Sequence, residues 1–228
     1  MNPYEIKKLA DHCEAVLALR RACLSDEYFY QSLPLCVIDA MYSVGAKYAG
    51  TNRTVMDYCS FFRLRRIRDI KIGDPPTIEQ QQSVKQFLDT ISKYDIQTVT
   101  ETIFNNRQRT SNRKGILKSE AVIMFARILR KYSVNYLQDV QRIIDDGDFE
   151  REILLIPGQT KDVSLSYFFM LSGSYDFVKV DRWVLAFIKD ALRRKGGKEE
   201  AQSGLREVYE ILKPKYPNLT LRLLDHSI

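Results

Sequence analysis

Apolar residues recur at helical spacing along almost the whole chain, and this period constrains the fold more than any other feature. It predicts helices over Tyr4–Leu24, Leu35–Tyr48, Thr54–Phe62 and Ile78–Ser92, then over Ile96–Asn106, Leu117–Tyr132 and Tyr136–Asp145. Alternation of the strand type never lasts more than a few residues, so the expected class is all-α with short connections. Thr77 and Gln80, after the breaker Gly73-Asp74-Pro75-Pro76, have the spacing of a capping box. At 228 residues, 45% of them apolar, the chain is long enough for a sizeable core. No apolar run approaches the roughly 20 residues that span a bilayer. The opening MNPYEIKKLADHCEAV lacks the apolar stretch of a signal peptide, and a cytoplasmic protein without a membrane partner is expected.

Side-chain chemistry narrows the function classes. The four cysteines, Cys13, Cys23, Cys36 and Cys59, form no C-x-x-C pair, and they read as buried small hydrophobes rather than metal ligands or disulfides. With His12 and His226 as the only histidines, a His-centred triad has little to draw on. Walker-type and dinucleotide glycine motifs are absent.

The charge is concentrated. Between Asn105 and Lys131 stand Arg107, Arg109, Arg113, Lys114, Lys118, Arg127, Arg130 and Lys131 against Glu120 alone, more positive charge than the +6 of the entire chain. A second cluster has Arg63, Arg65, Arg66, Arg68 and Lys71 against Asp69. Such clusters suit a phosphate backbone, because each neutralised phosphate releases counterions.

The most informative stretch begins at Asp148. DFEREILL is a short amphipathic helix with Phe149, Ile153 and Leu154 or Ile156 to one side, broken by Pro157-Gly158. Helical pattern resumes in KDVSLSYFFML, stops at Ser172-Gly173, and returns after Ser174-Tyr175-Asp176-Phe177 in VDRWVLAFIKDALRR. Two short helices joined by a tight Pro-Gly turn make a hairpin whose tip can receive a phosphate oxygen.

This segment resembles the helix–hairpin–helix and catalytic loop of the HhH-GPD DNA glycosylase superfamily, which includes endonuclease III, the adenine glycosylase of mismatch repair and the 3-methyladenine glycosylases. The matching positions are Ile156, Pro157, Gly158, Ser164, Gly173, Val180 and Asp181. Weaker similarity extends upstream to ILKSEAVIMFARIL and LPLCVIDAMYSVGAKY, so that it covers about residues 34 to 194. The resemblance implies a six-helix barrel over 34–172, with the hairpin at about 148–172. It also implies a terminal helical domain from 1–33 with 173–228, and an active site between the two.

Residue by residue, the resemblance makes Asp181 the catalytic carboxylate, which as an aspartate opening a helix is equally a natural N-cap. Gly158, Thr160 and Lys161 become phosphate contacts at the hairpin. Arg107, Arg109, Arg113 and Lys114, in the loop NNRQRTSNRKG, track the duplex. Ser43-Val44-Gly45-Ala46-Lys47 takes the place where relatives insert a side chain into the duplex, and Lys47 is a further DNA contact. Tyr30, Tyr42 and Trp183 are candidates for the base pocket, and Tyr28, Phe29 and Tyr48 are further aromatics beside it.

The chain also departs from the family pattern. Gln159 and Thr160 replace an apolar residue and the second hairpin glycine, and Asp162 stands where strand-cutting members carry a lysine. No cysteine follows Cys59, so the iron–sulfur cluster of some members has no ligands. The expectation is a monomeric, monofunctional DNA N-glycosylase without a cofactor, its hairpin leaving room for a monovalent cation. Its substrate is a damaged base in repair, or a modified cytosine such as a glucosylated hydroxymethylcytosine in defence against phage. Two alternatives stay open: a non-catalytic DNA-binding protein on the same scaffold, and a glycosylase–lyase using Lys161.

Overall fold

The structure is a computed structural model that describes residues 1–69, 75–112, 115–158, 163–173, 178 and 180–228. Among the described residues it is all-α: no strand forms, and the β-type pairing consists of the isolated bridges Tyr30–Ile67 and Arg109–Leu117. None of the described helices is long and apolar enough to cross a membrane. The chain divides into two compact units, Met1–Ser25 with Ser174–Ile228, and Asp26–Gly173.

The unit Asp26–Gly173 is organised around a helix that is apolar on every side. In α2 (Leu33–Ser43) every residue from Leu33 to Tyr42 is buried, as expected of a helix without a polar face. Around it stand α3 (Tyr48–Phe62), α6 (Lys118–Lys131) and α8 (Val163–Leu171), the last equally buried from Ser164 to Leu171. Outside these lie α4 (Val84–Ile91), the single turn α5 (Ile96–Thr98) with a π-helical turn at Val99–Ile103, and α7 (Gly147–Leu154). Aromatic side chains knit the layers together. Phe125 lies 5.0 Å from Phe168 and edge-on to Phe149 at 6.4 Å, while Tyr58 meets Phe87 and Phe104.

The other unit is built from α1 (Pro3–Val16), α9 (Arg182–Leu192), α10 (Lys198–Leu212) and α11 (Leu221–Ser227). Leu9, Cys13, Ile188, Leu205, Val208 and Leu224 form its core. Helix α1 starts where a true capping box permits: Asn2 Oδ1 accepts from Glu5 N–H at 2.9 Å, and Glu5 Oε2 accepts from Asn2 N–H at 3.0 Å. Arg194 donates to both Glu5 (2.6 Å) and Glu200 (2.5 Å), and this pairing holds the Glu5 carboxyl down at about 2.

Several expected boundaries move, each for a local reason. The first helix stops at Val16 and gives way to a 3₁₀ turn at Leu19–Arg21. The expected Ile78–Ser92 helix is two elements, because Ser83 and Gln86 form a capping box of their own and start α4 afresh. The stretch expected as a helix over Tyr136–Asp145 is 3₁₀ from Leu137 to Ile143. Cys13, Cys36 and Cys59 are buried as expected, but Cys23 is exposed. The breaker residues Gly73 and Asp74, and with them Lys71, lie outside the described residues.

Phe125→Ala removes the ring that Phe149 and Phe168 both contact. It is expected to cost about 3–5 kcal/mol, read as a lower urea midpoint at unchanged slope.

Candidate nucleic-acid interface and candidate catalytic carboxylate

Three turns of the Asp26–Gly173 unit carry the residues that the sequence assigns to DNA: the α2–α3 turn at 43–47, the loop 105–117, and the turn after α7. Two side chains fasten them to one another. Lys118, at the start of α6, sends its ammonium inward to the carbonyls of Tyr42 (2.9 Å) and Val44 (2.7 Å) and to Gln108 Oε1 (3.0 Å). The first two acceptors are carbonyls at the C-terminal end of α2, which have no partner within the helix. A cation there also opposes the negative end of the helix dipole. Three N–H donors thus meet three oxygens, and Lys118 is 3% exposed. Burial lowers its pKa to about 8.

Thr110 makes the second link. Its Oγ1 donates to the carbonyl of Pro157 at 2.7 Å, joining the loop to the Pro-Gly turn. Gly158 has φ +87°, and a Cβ there would lie 2.2 Å from Thr110 Oγ1 and 2.5 Å from its Cβ. Positive φ and close approach both demand glycine at this place. The loop is itself closed by Thr110 N–H to Ile116 O (2.9 Å), Lys118 N–H to Gln108 O (2.8 Å) and Arg109 to Gly115 O (2.9 Å). Its first residues are anchored on α3, through Asn106 to Thr54 Oγ1 (2.9 Å) and Asn105 to Asp57 (3.2 Å).

The predicted DNA contacts divide accordingly. Lys47 and Arg109 are exposed on these turns, and Arg107 is exposed and paired with Glu101 at 3.1 Å. Arg113, Lys114, Thr160 and Lys161 lie outside the described residues, as do Gln159 and Asp162. Lys118, counted by charge among the phosphate-facing cations, is instead internal. The signal that separates it from its neighbours is register: Lys118, Val122, Phe125 and Leu129 share one helical face, and all are buried.

The structure removes Tyr30 and Tyr42 from the base pocket. Both are fully buried and present no face to a base. Tyr30 donates to Asp39 Oδ2 at 2.8 Å; Tyr42 points its hydroxyl at Asn106 O (3.4 Å) and its ring edge at Phe104. Burial, and for Tyr30 the neighbouring Asp39, raises both phenols above their ordinary range. Phe29 is buried as well. Asp39, which the sequence reading passed over, is a fully buried carboxylate that also accepts from Ser43 Oγ at 2.6 Å. An acidic residue inside an otherwise apolar helix was its signal.

In the other unit, Asp181 is the N-cap of α9. Its Oδ1 accepts from the backbone N–H groups of Trp183 (2.7 Å) and Val184 (3.3 Å), and Oδ2 has no hydrogen bond among the described residues. The side chain is part-exposed rather than closed into a core. Trp183 is 63% exposed, with the Arg182 guanidinium 5.0 Å from its ring centroid. Val180 is buried and Arg182 exposed, so the helix start presents a fixed carboxylate and an open indole together. Among the described residues no group of three or more His, Cys, Asp or Glu side chains could hold a metal.

The model of one family, described as Domain of unknown function (DUF8548), matches residues 7–228. No curated protein and no solved structure matches the chain.

Gly158→Ala is expected to cost about 2 kcal/mol or more, from left-handed strain and the collision with Thr110. Thr110→Gly in the same chain should return part of that loss in denaturant melts. Lys118→Met strands two carbonyls of α2 and should cost about 3 kcal/mol. Because the folded pKa of Lys118 lies below its ordinary 10.5, the unfolded chain binds the extra proton between pH 8 and 10.5. The wild-type stability minus that of the Met variant should therefore rise with pH across this window.

Proposed function

The chain belongs to the family described as Domain of unknown function (DUF8548), and we propose that it is a monofunctional DNA glycosylase. It binds DNA through the Pro157-Gly158 hairpin and the loop beside it, and it hydrolyses the N-glycosidic bond of a flipped-out base with Asp181 as the catalytic carboxylate. The observation that carries the reading is the Pro157-Gly158 turn fastened by Thr110 to a loop bearing Arg107 and Arg109. Exposed cations on a loop fastened to such a turn suit a phosphate backbone gripped without reading its sequence.

Asp181 supplies the chemistry. As the C1′–N bond breaks, its electron pair leaves with the base and positive charge develops on the sugar. A carboxylate at C1′ stabilises that charge and orients the water whose oxygen bonds to C1′, leaving an abasic sugar and, after proton transfer, the free base. Two backbone N–H groups hold Oδ1, so Oδ2 keeps its lone pairs for this task. Trp183, open and two residues away, offers a stacking face for a base or a neighbouring nucleotide. The base itself is a damaged one or a modified cytosine.

The test separates capping from catalysis, because asparagine caps a helix as well as aspartate does but carries no charge. Duplexes containing uracil, 8-oxoguanine, alkylated bases or glucosylated hydroxymethylcytosine are incubated with the protein, and abasic sites are revealed by hot alkali. Wild type should release one of these bases. Asp181→Asn should lose at least about 100-fold in rate with stability unchanged, and Asp181→Ala should lose the rate and about 1 kcal/mol of stability. Full activity in Asp181→Asn overturns the catalytic assignment. Binding without base release on every duplex leaves a DNA-binding protein.

A further inference from the structure

The arginine cluster at the end of α3 takes no part in the DNA grip proposed above, yet it is fastened to the same helix as the cationic loop. Along one flank of α3, Asn106 bonds Thr54 Oγ1 and Asn105 bonds Asp57, which ties down the loop bearing Arg107 and Arg109. Along the other, Arg66 donates to Asn52 Oδ1. Asp57 and Asn52, five positions apart, stand about 140° from each other round the helix. The strap that carries Arg66 is held in turn by backbone bonds, Gln31 N–H to Arg66 O (2.8 Å) and Arg68 N–H to Phe29 O (2.9 Å).

The face between these flanks is cationic. The residues exposed on α3 are Tyr48, Ala49, Arg53, Met56, Ser60 and Phe61, with no carboxylate among them, and exposed Lys47 and Arg63 stand at its two ends. Lys47, Arg53 and Arg63 have no side-chain partner among the described residues. The acids nearby are engaged: Asp57 by Asn105, Glu101 by Arg107, and Glu27 by the Tyr48 hydroxyl. From Lys47 to Arg66 the chain has Lys47, Arg53, Arg63, Arg65 and Arg66 against Asp57 alone, so the charge of this face is not balanced within it.

We propose that α3 joins the two cation clusters into one continuous face for the phosphate backbone of a DNA duplex, with Lys47, Arg53 and Arg63 holding phosphates beyond those the loop 105–117 reaches. This rests on the DNA-binding half of the proposed function and not on the chemistry of Asp181. The planar guanidinium fork matches phosphate oxygens, and every phosphate neutralised releases counterions. Continuity with the loop of the same sign makes the occupant the same duplex.

Salt titration of duplex binding tests this, because each phosphate held adds about 0.9 to the slope of log K against log salt. Wild type and three double variants of the full chain are compared on unmodified duplexes of several sequences. Arg53→Gln with Arg63→Gln removes the α3 cations, and Arg107→Gln with Arg109→Gln removes those of the loop. Lys7→Gln with Arg206→Gln takes the same charge from exposed positions of the other unit. The α3 variant should lose about 2 from the slope and weaken on every sequence alike, with its melting curve in place. The Lys7 and Arg206 variant should keep the wild-type slope. An unchanged slope in the α3 variant overturns the proposal, and a slope lost only in the loop variant leaves DNA binding itself intact. Equal losses in the α3 variant and the Lys7 and Arg206 variant show an effect of net charge alone and overturn it too. A wild type that binds no duplex overturns both this proposal and DNA binding. Binding of phosphatidylserine vesicles that the α3 variant loses, with duplex affinity unchanged, gives the face to a membrane surface and likewise overturns the proposal.

Discussion

A buried ammonium holds the candidate DNA surface together. The carbonyls of Tyr42 and Val44 at the end of α2 turn toward Lys118, which supplies donors that the helix does not. By reaching Gln108 as well, it fixes the base of the cationic loop relative to the α2–α3 turn. Thr110 then extends the same row of turns to Pro157, after α7. A surface that grips a regular phosphate lattice needs its cations at fixed separations, and side chains on loops achieve this only when the loops are tied down. Here one charged and one neutral hydrogen-bonding residue do the tying, and neither needs to touch the ligand.

Much of the fold was legible because helical period is written directly in apolar spacing. Helical pattern marked the segments that form α2 and α8, and the Pro157-Gly158 break between α7 and α8 announced a turn. What escaped was set by tertiary contacts. The end of α2 depends on Lys118, 75 or so positions away, and no local pattern marks it. The break before α4 was written in Ser83 and Gln86 but was masked by continuous apolar spacing on either side. The division of the chain falls at Ser25–Asp26, earlier than the sequence suggests, because the backbone of Phe29 and Gln31 bonds to that of Arg66 and Arg68 within the second unit.

The candidate site was legible in chemistry more than in placement. Counting charge marked the stretch 105–131 as cation-rich but could not distinguish Lys118, turned inward, from Arg109, turned outward. Counting aromatics singled out Tyr30 and Tyr42, yet their hydroxyls have partners inside the unit, which lets them be fully buried. Trp183, named with them, differs: the core face of α9 is filled by Val184, Ile188 and Ala191, which leaves the indole exposed. In the proposed reaction the carboxylate faces the charge at C1′, and the uncovered indole beside it offers a stacking surface.

The proposed catalysis requires a carboxylate to meet positive charge at C1′ of bound DNA. The direct measurement is the affinity of the chain for two duplexes that differ at one nucleotide, a neutral tetrahydrofuran abasic analogue and a pyrrolidine analogue whose ring nitrogen is cationic. Binding to the cationic duplex should be tighter by about 100-fold, as for other mimics of a charged transition state. Equal affinity for the two duplexes would contradict the assignment.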